Sequence, residues 1–491
     1  MIMKNSHIYY IVSLLFIVFT SCSKDFLVKT PPDALPEDGF YHSSDRAIAA
    51  INAAYATLES NDLYGNSLSK IFTGSSGDAI LSNTTGTAFT TFSYTASDPI
   101  LMAVYSRLYE GVYRANIVLA KVPDIEMEDP LKKRILAEAK FLRALYYWHL
   151  TTLWGEVPLF TTPFEHPDDA LVAKSSIKDI YAVMIQDLED ASAVLPVSYQ
   201  GADIGRATKG AAEALLGKVF LYDKDYTNAA KWLKKVIDSK VYALDDNFDD
   251  IINRDHENDR ESVFEVQFKE VGADDVETLR DWYNLPQGEP GGFGNDLPTT
   301  AIVDAFEDYS GPTAINGEDP RLFYTVFRDG DPFIPASGNV ALRTYDKDWS
   351  ITGFNLRKGL VPVLLVNHGT GTNFPIIRYA GVLLMYAEAA NELGQTDQAR
   401  EAVNEVRQRP SVGMPKLTVT QTDSKEKMFK AIVHERRVEL AFEYQRFNDL
   451  RRWGLAKEVL GKSGYTDRNR YFPLPQEELD VNPKLVQEDG W

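Results

Sequence analysis

The chain has 491 residues, and its 71 acidic and 51 basic side chains give a formal net charge of −20. Apolar residues make up 44% and charged residues 25%, which is typical of a folded globular protein. The acidic excess argues against nucleic acid as a partner, because binding a phosphate backbone requires a basic surface. Cys22 is the only cysteine, which excludes a disulfide framework and a thiolate metal site.

The first residues have the pattern of a secretory leader. Lys4 precedes an apolar run over residues 8–19, and two small residues come directly before Cys22, as in a signal peptide. A twelve-residue helix spans roughly 18 Å, too short for a bilayer core of ~30 Å. The cysteine after the small residues resembles a bacterial lipobox. We therefore predict that a signal peptide over 1–21 is removed and that Cys22 is lipidated, for example with palmitate; ordinary secretory cleavage is the alternative.

Helical periodicity dominates the mature chain. Apolar residues recur at spacings of three and four, as on one buried helix face; Ile135, Ala139 and Leu142 form such a stripe. The spacing predicts helices near residues 44–59, 98–121, 131–153, 176–194, 207–222, 226–238, 378–393, 396–408 and 424–453, the last broken near Glu443. The predicted fold is mostly α.

Two helical hairpins have the same internal spacing. Gly217 and Ala229 are twelve residues apart, and so are Ala387 and Ala399. Small residues at these positions let antiparallel helices approach closely, which is typical of tetratricopeptide repeats. Two unrelated hairpins are the alternative. Because the units are far apart in sequence, we expect a helical scaffold with long insertions, and no continuous solenoid.

The predicted insertions are rich in loop-forming residues. Residues 61–100 are rich in Ser, Thr, Gly and Asn, and residues 240–377 contain a Pro/Gly-rich loop at 285–298. Within the second region, Ser262–Lys269 alternates apolar and polar residues, which predicts a half-buried strand. Loops on a rigid scaffold are where binding residues usually lie.

No catalytic motif is found. His434-Glu435 resembles the start of the HExxH zinc motif, but Val438 occupies the position of the second histidine. A Gly-x-Ser-x-Gly elbow and a phosphate-binding loop are also missing from the sequence. We therefore predict a protein that is not an enzyme and that has no metal site and no cofactor.

The stronger signals are for binding. Asp281, Trp282, Tyr283 and Asn284 combine two large rings with an acid and an amide, which suits a sugar because rings stack on its CH face and polar groups bind its hydroxyls. Further candidates of the same type are Phe92, Tyr94, Arg343, Tyr345 and Trp349. For each of them, a role in packing is the alternative.

Five segments together resemble the SusD/RagB family of outer-membrane nutrient-binding lipoproteins of Bacteroidetes. They are residues 22–33, 138–160, 205–238, 434–454 and 471–483. The resemblance covers the whole mature chain and implies one SusD-like domain over 22–491. Its parts are an N-terminal part at 22–240 with the first repeat helices, an insertion-rich ligand-binding part at 241–377 and C-terminal helices and tail at 378–491.

The resemblance implies a lipid-anchored outer-membrane protein, exposed at the cell surface, without enzymatic activity. Relatives lie as a lid over a TonB-dependent SusC-like transporter and hold an oligosaccharide or a peptide for import. Asp78 aligns loosely with an acid near some relatives' sites. In the segment at 434–454, Glu435, Arg436, Arg437 and Glu439 share a helix, so ion pairs at i,i+3 and i,i+4 are available. We interpret this segment as a buried charged network that fixes helix packing.

Three other functions remain open at this point. The cargo could be a peptide, as in the RagB branch of the family. A surface glycoside hydrolase would cleave a glycan by means of a carboxylate pair. A repeat scaffold with only protein partners would bind no small ligand.

Overall fold

The structure is a computed structural model that describes residues 41–82, 86–269, 278–287, 292–333, 343–360 and 370–491. The predicted signal peptide and Cys22 lie outside these ranges. Within them, no helix has the length and apolar character needed to cross a membrane.

The predicted helices form with ends shifted by no more than two residues. The long helices are α1 Ser44–Glu59, α4 Pro99–Lys121, α5 Asp129–Trp154, α6 Ile177–Val194, α7 Lys209–Tyr222, α8 Tyr226–Asp238, α12 Tyr379–Glu392, α13 Thr396–Arg407 and α14 Lys425–Glu439. The shorter ones are α2 Ser67–Gly74, α3 Thr87–Thr90, α9 Arg280–Asn284, α10 Thr300–Val303, α11 Pro320–Thr325, α15 Arg446–Arg452, α16 Ala456–Leu460 and α17 Gln476–Val481. Side chains cap several starts: Asp98, Ser176 and Thr208 each accept a backbone N–H of the first turn.

The predicted break near Glu443 is confirmed. Helix α14 ends at Glu439 and α15 begins at Arg446. Between them Phe442 and Tyr444 adopt positive φ angles of 62° and 60°, which no α-helix contains.

The helices stack in an order that the sequence spacing did not indicate. Helix α5 packs between α4 and α6, and α6 packs on the α7/α8 hairpin. Helix α8 then packs directly on α12, which opens the second hairpin, α12/α13. The two hairpins, which are far apart in sequence, are therefore neighbours in space, because the long insertion leaves the stack and returns to it. Within the first hairpin, a Cβ on Gly217 would lie 2.6 Å from Leu233 Cγ, so the close approach needs glycine.

The strands are short and form four two-stranded antiparallel sheets among the described residues. The pairs are β1 Ala79–Leu81 with β3 Asp296–Pro298, β2 Ser262–Val266 with β8 Phe374–Arg378, β4 Val326–Phe327 with β7 Asn355–Leu356, and β5 Pro332–Phe333 with β6 Arg343–Thr344. The predicted strand at 262–269 ends at Val266 and is not half-buried: Glu265 is buried and accepts hydrogen bonds from the Asn258 backbone and the Asn373 side chain. The sheet β1/β3 joins the polar segment 61–100 to the insertion, so that segment, which also carries α2, is not all loop.

A buried charged cluster fixes α14. Glu439 accepts hydrogen bonds from Arg378 (2.8 Å), Arg409 (2.9 Å) and Arg321 (3.0 Å), and Glu435 accepts from Arg321 and from Arg407. Burial alone would raise the pKa of Glu439, but the surrounding guanidinium groups lower it overall. The predicted buried network is therefore present. Its partners come from other elements of the fold rather than from i,i+4 neighbours on α14.

Candidate functional site

Helix α9 is held in place by hydrogen bonds of its buried polar residues. Asp281 is buried and accepts hydrogen bonds from Thr370 Oγ1 (2.7 Å) and Thr372 Oγ1 (3.1 Å). Asn284 is buried too: its Oδ1 accepts the Asp296 backbone N–H (3.0 Å), and its Nδ2 donates to the Asp296 carboxylate (3.3 Å). Asp281 and Asn284 therefore fix the segment through hydrogen bonds. The two rings between them, Trp282 and Tyr283, are half-buried.

The chain after α9 reverses and brings a third ring to the first two. The backbone N–H of Asn295 donates to Tyr283 O (2.8 Å), and that of Gly294 donates to Leu285 O (2.9 Å). Gly294 has a φ of +55°, a conformation that glycine adopts without strain. This reversal places Phe293 beside Trp282 and Tyr283.

Trp282, Tyr283 and Phe293 form a cluster that we call the aromatic platform. Ring centroids are 4.8 Å apart for Trp282–Phe293, 5.5 Å for Tyr283–Phe293 and 5.1 Å for Trp282–Tyr283. The first pair is edge-to-face at 83°, a favourable aromatic geometry. Phe293 is 43% exposed. Sequence reasoning missed it; the available signal was its place in the Pro/Gly-rich loop that follows Trp282.

Lys70 and Ser82 are polar residues that adjoin the platform and its loop. Lys70 Nζ lies 5.9 Å from the centroid of the Tyr283 ring, within cation–π range. Burial lowers the pKa of Lys70, against the opposing effect of Asp296 and Asp62. The hydroxyl of Ser82 donates to Gly294 O (2.8 Å), which ties the loop that carries Phe293 to the end of β1.

The candidates Arg343, Tyr345 and Trp349 form a second group. The Arg343 guanidinium lies 4.8 Å from the Trp349 ring centroid, and both residues are half-buried. Tyr345 is buried, and its hydroxyl donates to Asn355 Oδ1 (2.6 Å), so it acts in packing. Leu285 belongs to the same hydrophobic cluster as Tyr345, with Trp349 packed at its edge. The residue that follows α9 and the second group of rings therefore share one hydrophobic cluster.

The remaining candidates lie in the interior. Phe92 and Tyr94 are 3% and 2% exposed, and they pack on Tyr465 and Phe472 at 5.3 and 4.7 Å between ring centroids. The expectation of loop rings open to a ligand does not fit this burial, and we leave both out of the site. Rings from the C-terminal part of the chain, including Phe447 and Trp491, also pack on them.

Asp78 is also buried, and its carboxylate pairs with Arg437 at 2.5 Å. Its neighbour Arg446 lies 3.8 Å away. We therefore leave Asp78 out of the aromatic site. Over the described ranges, no group of three or more His, Cys, Asp or Glu residues is arranged to hold a metal ion.

Comparisons with known proteins agree with this architecture of stacked helical hairpins and an inserted loop region. A sequence model described as the SusD family matches residues 260–467, and one described as starch-binding, associating with outer membrane, matches residues 25–221. The SusD-like protein P25 of Formosa agariphila is 26% identical over 99% of both chains. The chain belongs to the SusD family.

Solved structures show the same fold. A SusD-like protein from Bacteroides fragilis superimposes with a TM-score of 0.82 at 27% identity, over 94% of this chain and 100% of that one. A laminarin-binding SusD-like protein superimposes with a TM-score of 0.78 at 26% identity, over 92% of this chain and 100% of that one. The mostly helical fold predicted from the sequence is confirmed, and the family includes carbohydrate-binding proteins.

Proposed function

We propose that this protein captures a nutrient oligosaccharide on the aromatic platform and delivers it to a SusC-like TonB-dependent transporter in the outer membrane. The observation that carries the proposal is the set of three rings, Trp282, Tyr283 and Phe293, held on a backbone fixed by buried Asp281 and Asn284. Rings on a rigid support lose little conformational entropy when a sugar stacks on them. Arg343 and Trp349 would extend this surface.

The family supports a glycan as cargo. A relative with the same fold is described as laminarin-binding, and one matching family model is described as starch-binding. A β-glucan oligosaccharide and a starch oligosaccharide are therefore the first ligands to compare. We infer binding without hydrolysis, because no catalytic motif is recognised in the sequence.

Calorimetric titration of the soluble chain from Ser23 tests the site. We expect heat with a glucan oligosaccharide, and an affinity weakened roughly ten- to hundred-fold by Trp282→Ala or Phe293→Ala, as for a central aromatic contact. Tyr113→Ala is the matched control, because Tyr113 is 39% exposed against 43% for Phe293 and lies on α4. Equal losses in Phe293→Ala and Tyr113→Ala would contradict the proposed site. Heat with peptide digests alone would replace the oligosaccharide by a peptide.

The anchor is tested separately. We expect the full chain to sediment with outer membranes, and Cys22→Ala to release it into the soluble fraction because the thiol is the site of acylation. Ser23→Ala is the control and should stay with the membrane. Copurification of the anchored protein with a SusC-like barrel would support delivery to a transporter.

A further inference from the structure

A pocket that shares no residue with the aromatic platform lies among the helices. It is bordered by the C-terminal end of α5, by α6, by the turn between α7 and α8, by α15 and by the segment before α17. Its volume is about 120 Å³. We call it the basic pocket; its lining residues are Thr151, Thr152, Tyr181, Tyr222, Lys224, Asn448, Arg451, Arg452, Arg470 and Tyr471.

The charge of the basic pocket is opposite to that of the whole protein. Four of its ten lining residues are Lys or Arg, and none is Asp or Glu, although the chain carries a net charge of −20. The other lining side chains are three phenols, an amide and two threonine hydroxyls, and the threonine hydroxyls donate to backbone oxygens of α5. A cavity lined in this way is suited to a ligand that accepts hydrogen bonds and carries negative charge.

Arg451 is a lining arginine whose charge no carboxylate of the described residues balances. Its terminal nitrogens donate to the backbone oxygens of Arg470 (2.6 Å) and Thr152 (2.6 Å) and to Asn448 Oδ1, and its guanidinium lies 4.2 Å from the Phe447 ring centroid. Within the described ranges it forms no ion pair with a carboxylate. Burial lowers its pKa, and the neighbours that oppose this effect are tyrosines.

The adjacent Arg452 shows the contrast. Its guanidinium pairs with the carboxylates of Glu388 and Asp449, so its charge is balanced inside the protein. Of these two adjacent arginines, only Arg452 forms ion pairs with carboxylates within the described ranges. Arg451 is half-buried, so its charge has lost part of its hydration, and an anion bound from outside the chain would compensate for that loss.

Two more cations border the opening. Lys224 and Arg470 are exposed, and over the described ranges neither forms an ion pair with an acid. Arg470 lies 5.6 Å from the ring centroid of Tyr471. Lys224 sits at a fixed turn with a φ of 63° and donates its backbone N–H to Leu221 O (3.2 Å). Both side chains can therefore close on an anion without giving up an existing ion pair.

Three residues that line the basic pocket have hydrogen-bonding atoms without a partner in the described part of the chain. The Tyr222 hydroxyl, Asn448 Nδ2 and Arg451 Nε are buried and have no partner among the described residues. Leaving such groups unsatisfied is unfavourable, and native proteins usually supply a protein group, an ordered water or an ion.

We propose that the basic pocket binds a small oxyanion, of the sulfate or phosphate type, at Arg451, Lys224 and Arg470. Arginine and lysine together suit such a group because the guanidinium fork and the ammonium offer several charge-assisted hydrogen bonds. The oxyanion could be a free inorganic ion or the anionic substituent of a sugar, since both present the same oxygens. This site shares no residue with the aromatic platform, so its test does not depend on the proposed glycan capture.

Titration of the soluble chain with sodium sulfate, against sodium chloride at matched ionic strength, tests the proposal. We expect saturable binding of sulfate but not of chloride, weakened about tenfold by Lys224→Gln and more by the double variant Lys224→Gln/Arg470→Gln. Lys240→Gln is the matched control, because Lys240 is another exposed lysine at positive φ, 55°, and should bind like wild type. These side chains are exposed, so the variants should fold.

Glucose 6-sulfate distinguishes the two sources of the oxyanion. Displacement of sulfate by glucose 6-sulfate, but not by glucose, would assign the pocket to a sulfated sugar. Binding of inorganic sulfate without such competition would assign it to the free ion. No sulfate binding by wild type, or equal binding by wild type and the double variant, would overturn the proposal.

Discussion

The charged cluster around Glu439 and the aromatic platform are both built from residues that stood out in the sequence, but they are supported in different ways. Glu439 is fully buried and accepts from arginines on three other segments of the chain. The platform rings are partly exposed and pack on one another. Substitution in the cluster should therefore change stability, and substitution in the platform should change binding.

The largest effect is expected for Glu439→Gln. It leaves Arg321, Arg378 and Arg409 buried with one carboxylate fewer, so the free energy of unfolding should fall by roughly 3–5 kcal/mol. Urea unfolding of the chain from Ser23, followed by circular dichroism, measures it. Glu401→Gln, an exposed change on α13, should alter stability by less than about 0.5 kcal/mol. A similar small change in Glu439→Gln would show that the cluster does not hold α14.

The next effect depends on pH and concerns Lys218. Its ammonium is buried 4.1 Å from the Trp148 ring centroid and donates to Gln445 Oε1 (3.0 Å), and burial, with Arg436, lowers its pKa to about 7. The unfolded lysine keeps its proton up to about pH 10.4. Between these values the unfolded state binds more protons, so this group makes the protein more stable as pH rises.

Lys218→Met should remove this dependence. The variant should be more stable than wild type at pH 6, by up to about 3 kcal/mol, since the lost hydrogen bond offsets part of the gain. The difference should shrink as pH approaches 10. Urea unfolding of both proteins at several pH values measures the difference. A constant difference across this range would contradict the assigned pKa shift.

A smaller loss of stability is expected when a larger side chain is placed between the helices of the first hairpin. Gly217→Val places side-chain atoms where a Cβ already meets Leu233 Cγ at 2.6 Å, which should cost about 1–3 kcal/mol in the free energy of unfolding. Gly381→Ala is the matched change on α12, where a Cβ meets no atom within 4 Å; it should stabilise by roughly 0.5–1 kcal/mol. Thermal unfolding would show opposite shifts, and shifts of the same sign would contradict the close approach of α7 and α8.

The smallest effect on stability is expected for Trp282→Ala. The ring is half-buried and packs on its platform neighbours, so the free energy of unfolding should fall by only about 1 kcal/mol. The same variant should lose roughly ten-fold or more in glycan affinity. A loss of stability as large as that of Glu439→Gln would remove the contrast between the two regions.

The sequence by itself determined the helices of this protein. The signals are local: apolar residues recur at spacings of three and four, and Asp98, Ser176 and Thr208 cap helix starts. Such signals can be recognised from neighbouring residues alone. The twelve-residue step from Gly217 to Ala229 likewise indicated a close hairpin, because the size of a side chain is a property of one position.

Only the tertiary structure decided which distant residues and helices contact one another. Arg378 and Arg409 meet Glu439 through contacts between distant segments, and α8 meets α12 across the long insertion. Phe92 and Tyr94 looked like loop rings until their packing was known, and Phe293 lies beside Trp282 because Gly294 and Asn295 hydrogen-bond back to Leu285 and Tyr283. Burial and pairing depend on which surfaces meet, and no local pattern of residues contains that information.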